Sequence, residues 1–355
     1  MSFAVSVLDQ SPIYPGDTPE QALARTVRLA QKAEQLGFRR FWVSEHHDTE
    51  HLAGSSPEVL ISHLLARTES IRIGSGGIMI QHYSPYKVAE NFHVLAALAP
   101  GRVDLGVGRA PGGLPRSTQA LQKHAAAEQP SLTEKIEELT AYVGGTPLPE
   151  EHAQAGLRAT PVPAVAPKVY VLGATVASAR SAALLGLPYV FSLFIGADEE
   201  AAVQALREYV ENFDASGGAV PEGLLAVAAI AAETDEEALA QLPPQKVVKV
   251  HLASGKSVTL GTLEQAEEYG RTSGESYRIE EKEPVIIAGS KETVRARLDA
   301  LRDAAGIEEF IVTTNVPDFD KRLRSYELLA ELAAEAAAQD EEAGEAGRLP
   351  AGKLA

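Results

Sequence analysis

Short apolar, β-branched runs recur along the chain, each followed by a turn and a stretch of helical period. FAVSVLD (residues 3–9) opens the series, and QSPIYPGD leads from it to Thr18. Thr18 is placed as an N-cap, with Pro19 at the first helical position and Gln21 completing a capping box. A helix is predicted over about 20–36, with Leu23, Val27, Ala30 and Leu36 on its apolar positions and Gly37 ending it. FRRFWVSE is the second strand, and Ser56-Pro57 opens the next helix. IRIGSGGIMI is the third, followed by a helix from Ser84-Pro85. RVDLGVG, KVYVLGA, PYVFSLFI and GLLAVAAIAAE continue the series, and EEFIVTT is the eighth, preceded by a helix beginning at Ser290. The strands are apolar nearly throughout, as expected when both faces are covered. Eight βα units predict a (β/α)8 TIM barrel; on counting alone the rival is an open doubly wound sheet, which would use five or six strands.

Two stretches interrupt the rhythm. Residues 111–165 are rich in Pro, Gly, Ala and charge, hold one helical pattern (SLTEKIEELTAYV), and read as an extended loop after strand four. Residues 233–283 read as a long insert after strand seven, with enough Leu and Val to be partly ordered. Loops of this length are active-site cover or disorder. The expected division is a barrel over 1–335, including the insert, then a helix end and polar tail over 336–355, mobile in its last dozen residues.

Composition narrows the chemistry. With no cysteine in 355 residues there is no disulfide, Cys-ligated zinc, iron–sulfur cluster or thiolate nucleophile. A net charge of −17 argues against nucleic acid as a partner. The absence of a signal core or long apolar run leads us to expect a cytoplasmic protein with no membrane partner.

In a βα barrel the site forms at the C-terminal ends of the strands. Polar residues collect there: Asp9-Gln10 after strand one, Glu45-His46-His47 after strand two, Tyr83 beyond strand three, Arg109 after strand four, and Thr175 and Ser178 after strand five. Gly76-Gly77 inside an apolar strand points to a bulge, an unusual peptide or close approach of a flat ligand. Gly173 to Ser178 reads either as a phosphate-binding turn or as a helix cap. Arg109 suits a phosphate or carboxylate clamp. Neighbouring strand residues face opposite ways, so His46 and His47 are poor partners for one metal ion, and none is expected. A histidine working as a hydrogen-bond donor, acid or base fits better, as does a structural role for His47.

SVLDQSPI, AEQLGFRRFWVSEHH, the run SSPEVLISHLLARTESIRIGSGGIMIQHYSPYKVAENFHVLAALAPGRVDLGVGRAPG, VYVLGATVASARSAALLGLPYVF, PVIIAGSKETV and EEFIVTTNVPDFDKRLRSYELLA follow one another in order. Together they resemble the luciferase-like flavin monooxygenase superfamily, in its single-chain bacterial branch. The resemblance covers nearly the whole barrel. It implies a homodimer that binds reduced FMN from a separate flavin reductase, and activates O2 through a C4a-(hydro)peroxyflavin to oxidise a small organic substrate. Deazaflavin (F420)-dependent hydride transfer and a non-catalytic flavin-binding protein are the alternatives, and a metal-dependent barrel hydrolase built on His46, His47 and His51 is a third.

By this resemblance His46 matches the catalytic histidine and His47 its structural neighbour. Gly76-Gly77 falls at a non-prolyl cis peptide beside the flavin ring, and Arg109 near the FMN phosphate. Leu172, Gly173, Ala174, Thr175 and Ser178 match the turn that approaches ribityl and phosphate. Asp9, Gln10, Tyr83 and Phe191 are candidates for the substrate pocket. Two departures stand out. Gly108 replaces the reactive cysteine of luciferase, and FSLFIG lacks the histidine that many relatives carry after strand six. The loops after strands four and seven are candidate lids.

Overall fold

The computed structural model describes residues 2–123, 130–196, 198–242, 246–255 and 257–346, with side chains to 338. The first half alternates β1 (Ala4–Asp9), α1 (Pro19–Gln35), β2 (Arg40–Val43), α2 (Pro57–Arg67), β3 (Arg72–Met79), α3 (Pro85–Leu98) and β4 (Val103–Gly108). Then come α4 (Pro115–Leu121), α5 (Leu132–Gly144), β5 (Lys168–Gly173), α6 (Val176–Leu184), β6 (Tyr189–Ser192), α7 (Glu199–Glu211) and β7 (Gly223–Ala232). The insert supplies α8 (Asp235–Ala240), β8 (Val247–Leu252), β9 (Ser257–Leu260), α9 (Leu263–Thr272) and β10 (Tyr277–Lys282). β11 (Ile286–Ser290), α10 (Lys291–Ala305), β12 (Glu309–Thr313) and α11 (Phe319–Ala346) complete the chain.

β1 to β7 and β12 pair in parallel and close into an eight-stranded barrel through β6–β7, β7–β12 and β12–β1. The local signals act as expected. Thr18 and Gln21 form the capping box of α1, and Gly37 follows it at φ 77°. β11 was not expected. It runs parallel to the C-terminal half of β7, from Ile286 beside Ala228 to Ser290 beside Ala232. α4 was also missed, because a seven-residue helix inside a Pro- and Gly-rich loop carries too little period to read.

Alternation along the strands sorts inward side chains into tiers. The lowest is charged: Arg40, Arg72, Asp104 and Glu309, with Ser6. Above it Leu8, Trp42, Tyr170, Val190, Leu224, Ala226 and Ile311 form an apolar plug. The outward faces of the strands pack on the helices in a much larger core. By the same alternation, the top tier falls to Gln10, Ser44, Gly76, Gly108, Leu172, Ser192 and Thr313.

The insert is an ordered subdomain. β10, β8 and β9 make an antiparallel sheet whose Val248, Val250, Leu252 and Val258 pack on Ala266 and Tyr269 of α9. Leu114, from the loop after β4, is buried in the same cluster. On the opposite sheet face Thr259 Oγ1 donates to Ile195 O (3.0 Å), just beyond β6. The two long loops therefore pack together above the strand ends. α11 runs unbroken past residue 335, and residues 347–355 of the expected tail lie outside the described residues.

Candidate active site

β2 delivers the histidine pair. After Val43 the chain turns through Ser44 and Glu45, and the His46 N–H donates to Gly54 O (2.8 Å) while the His47 N–H donates to Gly112 O (2.7 Å). The two rings then separate. His46 Nδ1 lies 3.1 Å from Ser44 Oγ, whereas His47 Nε2 lies 2.7 Å from Glu45 Oε1. Burial pushes the His46 pKa down to about 4, against a smaller opposing pull from Glu45. At neutral pH this ring is uncharged, able to accept on one nitrogen and donate from the other.

β3 supplies the floor. Gly76-Gly77 is a cis peptide, and the β3–β4 register shifts between Gly76 and Ile78. A Cβ on Gly76 would stand 2.7 Å from Leu8 Cδ1 and 3.2 Å from the Trp42 ring, and one on Gly77 would stand 2.7 Å from Gly106 O. The glycines are thus required by the barrel's own packing, and they leave the tier above Trp42 flat.

The turn after β5 resolves toward a cap. Thr175 Oγ1 accepts from Ser178 N–H (3.2 Å), Ser178 Oγ accepts from Thr175 N–H (3.3 Å), and Ser178 Oγ also lies 2.9 Å from Tyr189 Oη. Gly173 has no side chain because a Cβ there would collide with Ser178. The remaining first-turn amides of α6 still point outward, as at any helix start. Arg109 is exposed just beyond β4, with no hydrogen bond or ion pair among the described residues. Thr313 Oγ1 is buried on β12 and likewise has no hydrogen-bond partner.

Two expected pocket residues are corrected. Asp9 faces the outer helices, where it accepts from Thr26 Oγ1 (2.5 Å) and Arg322 Nη2 (2.7 Å), so its carboxylate is fully occupied away from the barrel mouth. Phe191 also points outward, into the layer between barrel and helices, while its neighbours Val190 and Ser192 face inward. Gln10 follows β1 at the mouth, half-buried. Tyr83 sits behind His47, with its hydroxyl on Glu45 Oε1 (2.7 Å). Among the described residues no group of three His, Cys, Asp or Glu side chains is arranged for a metal ion.

A match to the luciferase-like monooxygenase family spans residues 1–309. The chain belongs to that family. It is a flavin-dependent monooxygenase acting with FMN on a small organic substrate. The N-acetyl-S-alkylcysteine monooxygenase of Bacillus subtilis is 44% identical over 327 residues, covering 92% of this chain and 97% of that protein. Among solved structures, apo-MsnO8 is 33% identical with a TM-score of 0.75, covering 94% of this chain and 98% of that one. The oxygenating constituent of 3,6-diketocamphane monooxygenase from Pseudomonas putida, solved with FMN, is 19% identical with a TM-score of 0.69 over 94% of this chain and 98% of that one. At that identity the likeness speaks for the fold alone.

The residues present fit a flavin mononucleotide. The Gly76-Gly77 floor, which side chains would fill, suits a planar ring. An unpaired guanidinium at Arg109 and the free amides of α6 suit a phosphate. This donor set of glycine backbone, one guanidinium and helix amides matches a flavin better than a cation.

Proposed function

We propose that the mouth of the barrel holds reduced FMN, brought by a separate flavin reductase, and that the substrate is a thioether of the S-alkylcysteine kind. When bound, the flavin supplies two electrons to O2, so that one oxygen atom enters the substrate and the other leaves as water. The chain's own residues do the rest. Arg109 and the turn of Leu172, Gly173, Ala174, Thr175 and Ser178 hold the phosphate and ribityl chain. Gly76-Gly77 and Gly108 leave room for the ring. His46, kept neutral by burial, accepts or donates a proton beside it. The joined loops around Leu114 and the insert exclude water from the mouth.

The observation that carries the site is His46 at the exit of β2, its Nδ1 3.1 Å from Ser44 Oγ, with β2 paired to the strand that carries the Gly76-Gly77 step. The 44% identity with the Bacillus enzyme supports the substrate class. The test is anaerobic titration of the apoprotein with reduced FMN, followed by oxygen uptake and product mass with a panel of N-acetyl-S-alkylcysteines. Failure to bind reduced FMN overturns the site assignment. Binding without substrate-linked oxygen uptake across the panel overturns the substrate class.

Cytoplasmic residence and a homodimer belong to the same reading. Leu64, Phe92 and Leu95 are consumed by barrel packing, but Val59, Val94 and Leu98 on α2 and α3 are exposed. That apolar surface supports pairing of two copies there. A monomer in sedimentation equilibrium at micromolar protein would refute it.

A further inference from the structure

Glu45 is fully buried, and no lysine or arginine pairs with it among the described residues. Its carboxylate is not idle. Oε2 accepts from the Met79 N–H (2.9 Å), at the end of β3 two residues past Gly77. Oε1 accepts from Tyr83 Oη (2.7 Å) and lies 2.7 Å from His47 Nε2. A carboxylate is an acceptor only, so the third contact requires the His47 ring proton to be on Nε2.

Each partner belongs to a different wall of the mouth. Met79 ends the strand that carries the Gly76-Gly77 floor. Tyr83 follows the short turn at Ile80–His82, which is pinned from behind by buried Lys135 of α5, donating to Gln81 O (3.0 Å) and Tyr83 O (3.4 Å). His47 carries the loop after β4: its N–H holds Gly112 O (2.7 Å), and Gly113 packs so closely on His47 O that a Cβ would stand 2.6 Å away. His46 is the next residue in the chain after Glu45, so its backbone is fixed on both sides by groups this carboxylate or His47 holds.

We propose that Glu45 is a positioning residue of the active site, whose carboxylate fixes the tautomer of His47 and thereby joins the His46 segment, the exit of β3 and the loop after β4 into one frame. It touches neither flavin nor substrate. The proposal rests on the reading of the mouth as the flavin site, but its test does not depend on flavin.

The test is nitrogen-15 spectroscopy of apoprotein labelled at histidine, with the His47 resonances assigned by His47→Gln. The wild type should show Nε2–H at His47. Glu45→Gln, which presents an amide N–H₂ toward the ring, should switch His47 to Nδ1–H, and Glu45→Asp should keep the wild-type tautomer. Reduced-FMN affinity should fall about tenfold in Glu45→Gln, the effect expected when an outer support of a bound group is lost. If Glu45→Gln does not fold, Tyr83→Phe keeps the carboxylate and must retain Nε2–H. A wild-type His47 in the Nδ1–H form overturns the proposal. So does a folded Glu45→Gln with an unchanged tautomer, because a merely structural carboxylate would leave the ring proton where it was. Wild-type protein that shows the expected tautomer but binds no reduced FMN would instead refute the flavin site and leave the Glu45 assignment standing.

Discussion

The two ends of the barrel are made from the same strands a few residues apart, and they are built in opposite ways. At the N-terminal end every inward charge is matched. Arg40 Nε lies 2.7 Å from Glu309 Oε1 and its Nη1 3.2 Å from Asp104 Oδ2, while Asp104 also takes Arg72 Nε (3.0 Å) and Trp42 Nε1 (3.0 Å). Burial works against the Arg40 charge, but Asp104 and Glu309 outweigh it and hold the guanidinium above its ordinary range. At the C-terminal end the same strands present glycines, a buried hydroxyl without a partner on Thr313, an unpaired Arg109 and a histidine whose charge is suppressed. Matched charges close one end of the barrel. Unmatched polar groups at the other leave interactions for a ligand to complete, so polarity alone does not mark a site.

The largest expected effect tests the closed end. Asp104→Ala removes a carboxylate that serves Arg40, Arg72 and Trp42, leaving buried cationic groups short of a partner. Urea denaturation should show a loss of about 3–5 kcal/mol, as for a broken buried ion pair. Protein that remains folded should bind reduced FMN as before. A stability change below about 1 kcal/mol would mean the tier is solvated and the contrast between the ends is lost.

This contrast was only half legible in the sequence. The eight apolar runs and their caps are local signals, and Thr18-Pro19, Ser56-Pro57 and Ser84-Pro85 each mark a helix start where one forms. Asp9 and Phe191 were misplaced because closeness to a strand end does not say which face a residue takes; the register against α1 and α11 decides that, and it is a long-range property. Glu45 stood in plain view beside the histidines, but its role depends on Met79 and Tyr83, more than thirty residues away. Thr313 and Arg322 lie in the run EEFIVTTNVPDFDKRLRSYELLA, where nothing local shows what either side chain faces.

At the open end, Gly76→Val should cost about 1–3 kcal/mol, because the new side chain meets Leu8 and Trp42 in a packed layer. It should also abolish reduced-FMN binding in the fraction that folds. Unchanged affinity would place the ring elsewhere.

His46 offers a smaller, pH-dependent effect. Its folded pKa of about 4 is below the ordinary 6.5, so between these values the unfolded chain takes up a proton that the folded chain refuses. Stability attributable to His46 is therefore present above pH 6.5, declines as pH falls toward 4, and is level below that. Burial lowers the His82 pKa as well and adds in the same direction. The slope should not exceed about 1.4 kcal/mol per pH unit for one proton. Denaturation midpoints of wild type and His46→Gln, compared from pH 7 to 4.5, should converge on acidification. Parallel curves would mean that the ring is solvated and titrates normally.

The smallest stability effect is the most pointed. Arg109 is exposed and makes no hydrogen bond or ion pair among the described residues, so Arg109→Ala should leave folding within about 0.5 kcal/mol of wild type. If the guanidinium clamps the FMN phosphate, the same change should weaken reduced-FMN binding by about tenfold or more, the scale of one charge-assisted pair. Riboflavin, which has no phosphate, should bind wild type and variant alike. Arg40 at the other end is the counterexample that gives this its force: an arginine equally close to a strand terminus, whose charge is spent entirely on the fold. Equal losses of FMN and riboflavin affinity in Arg109→Ala would show that Arg109 shapes the mouth without holding the phosphate, and the anion would then rest on the amides of α6 alone.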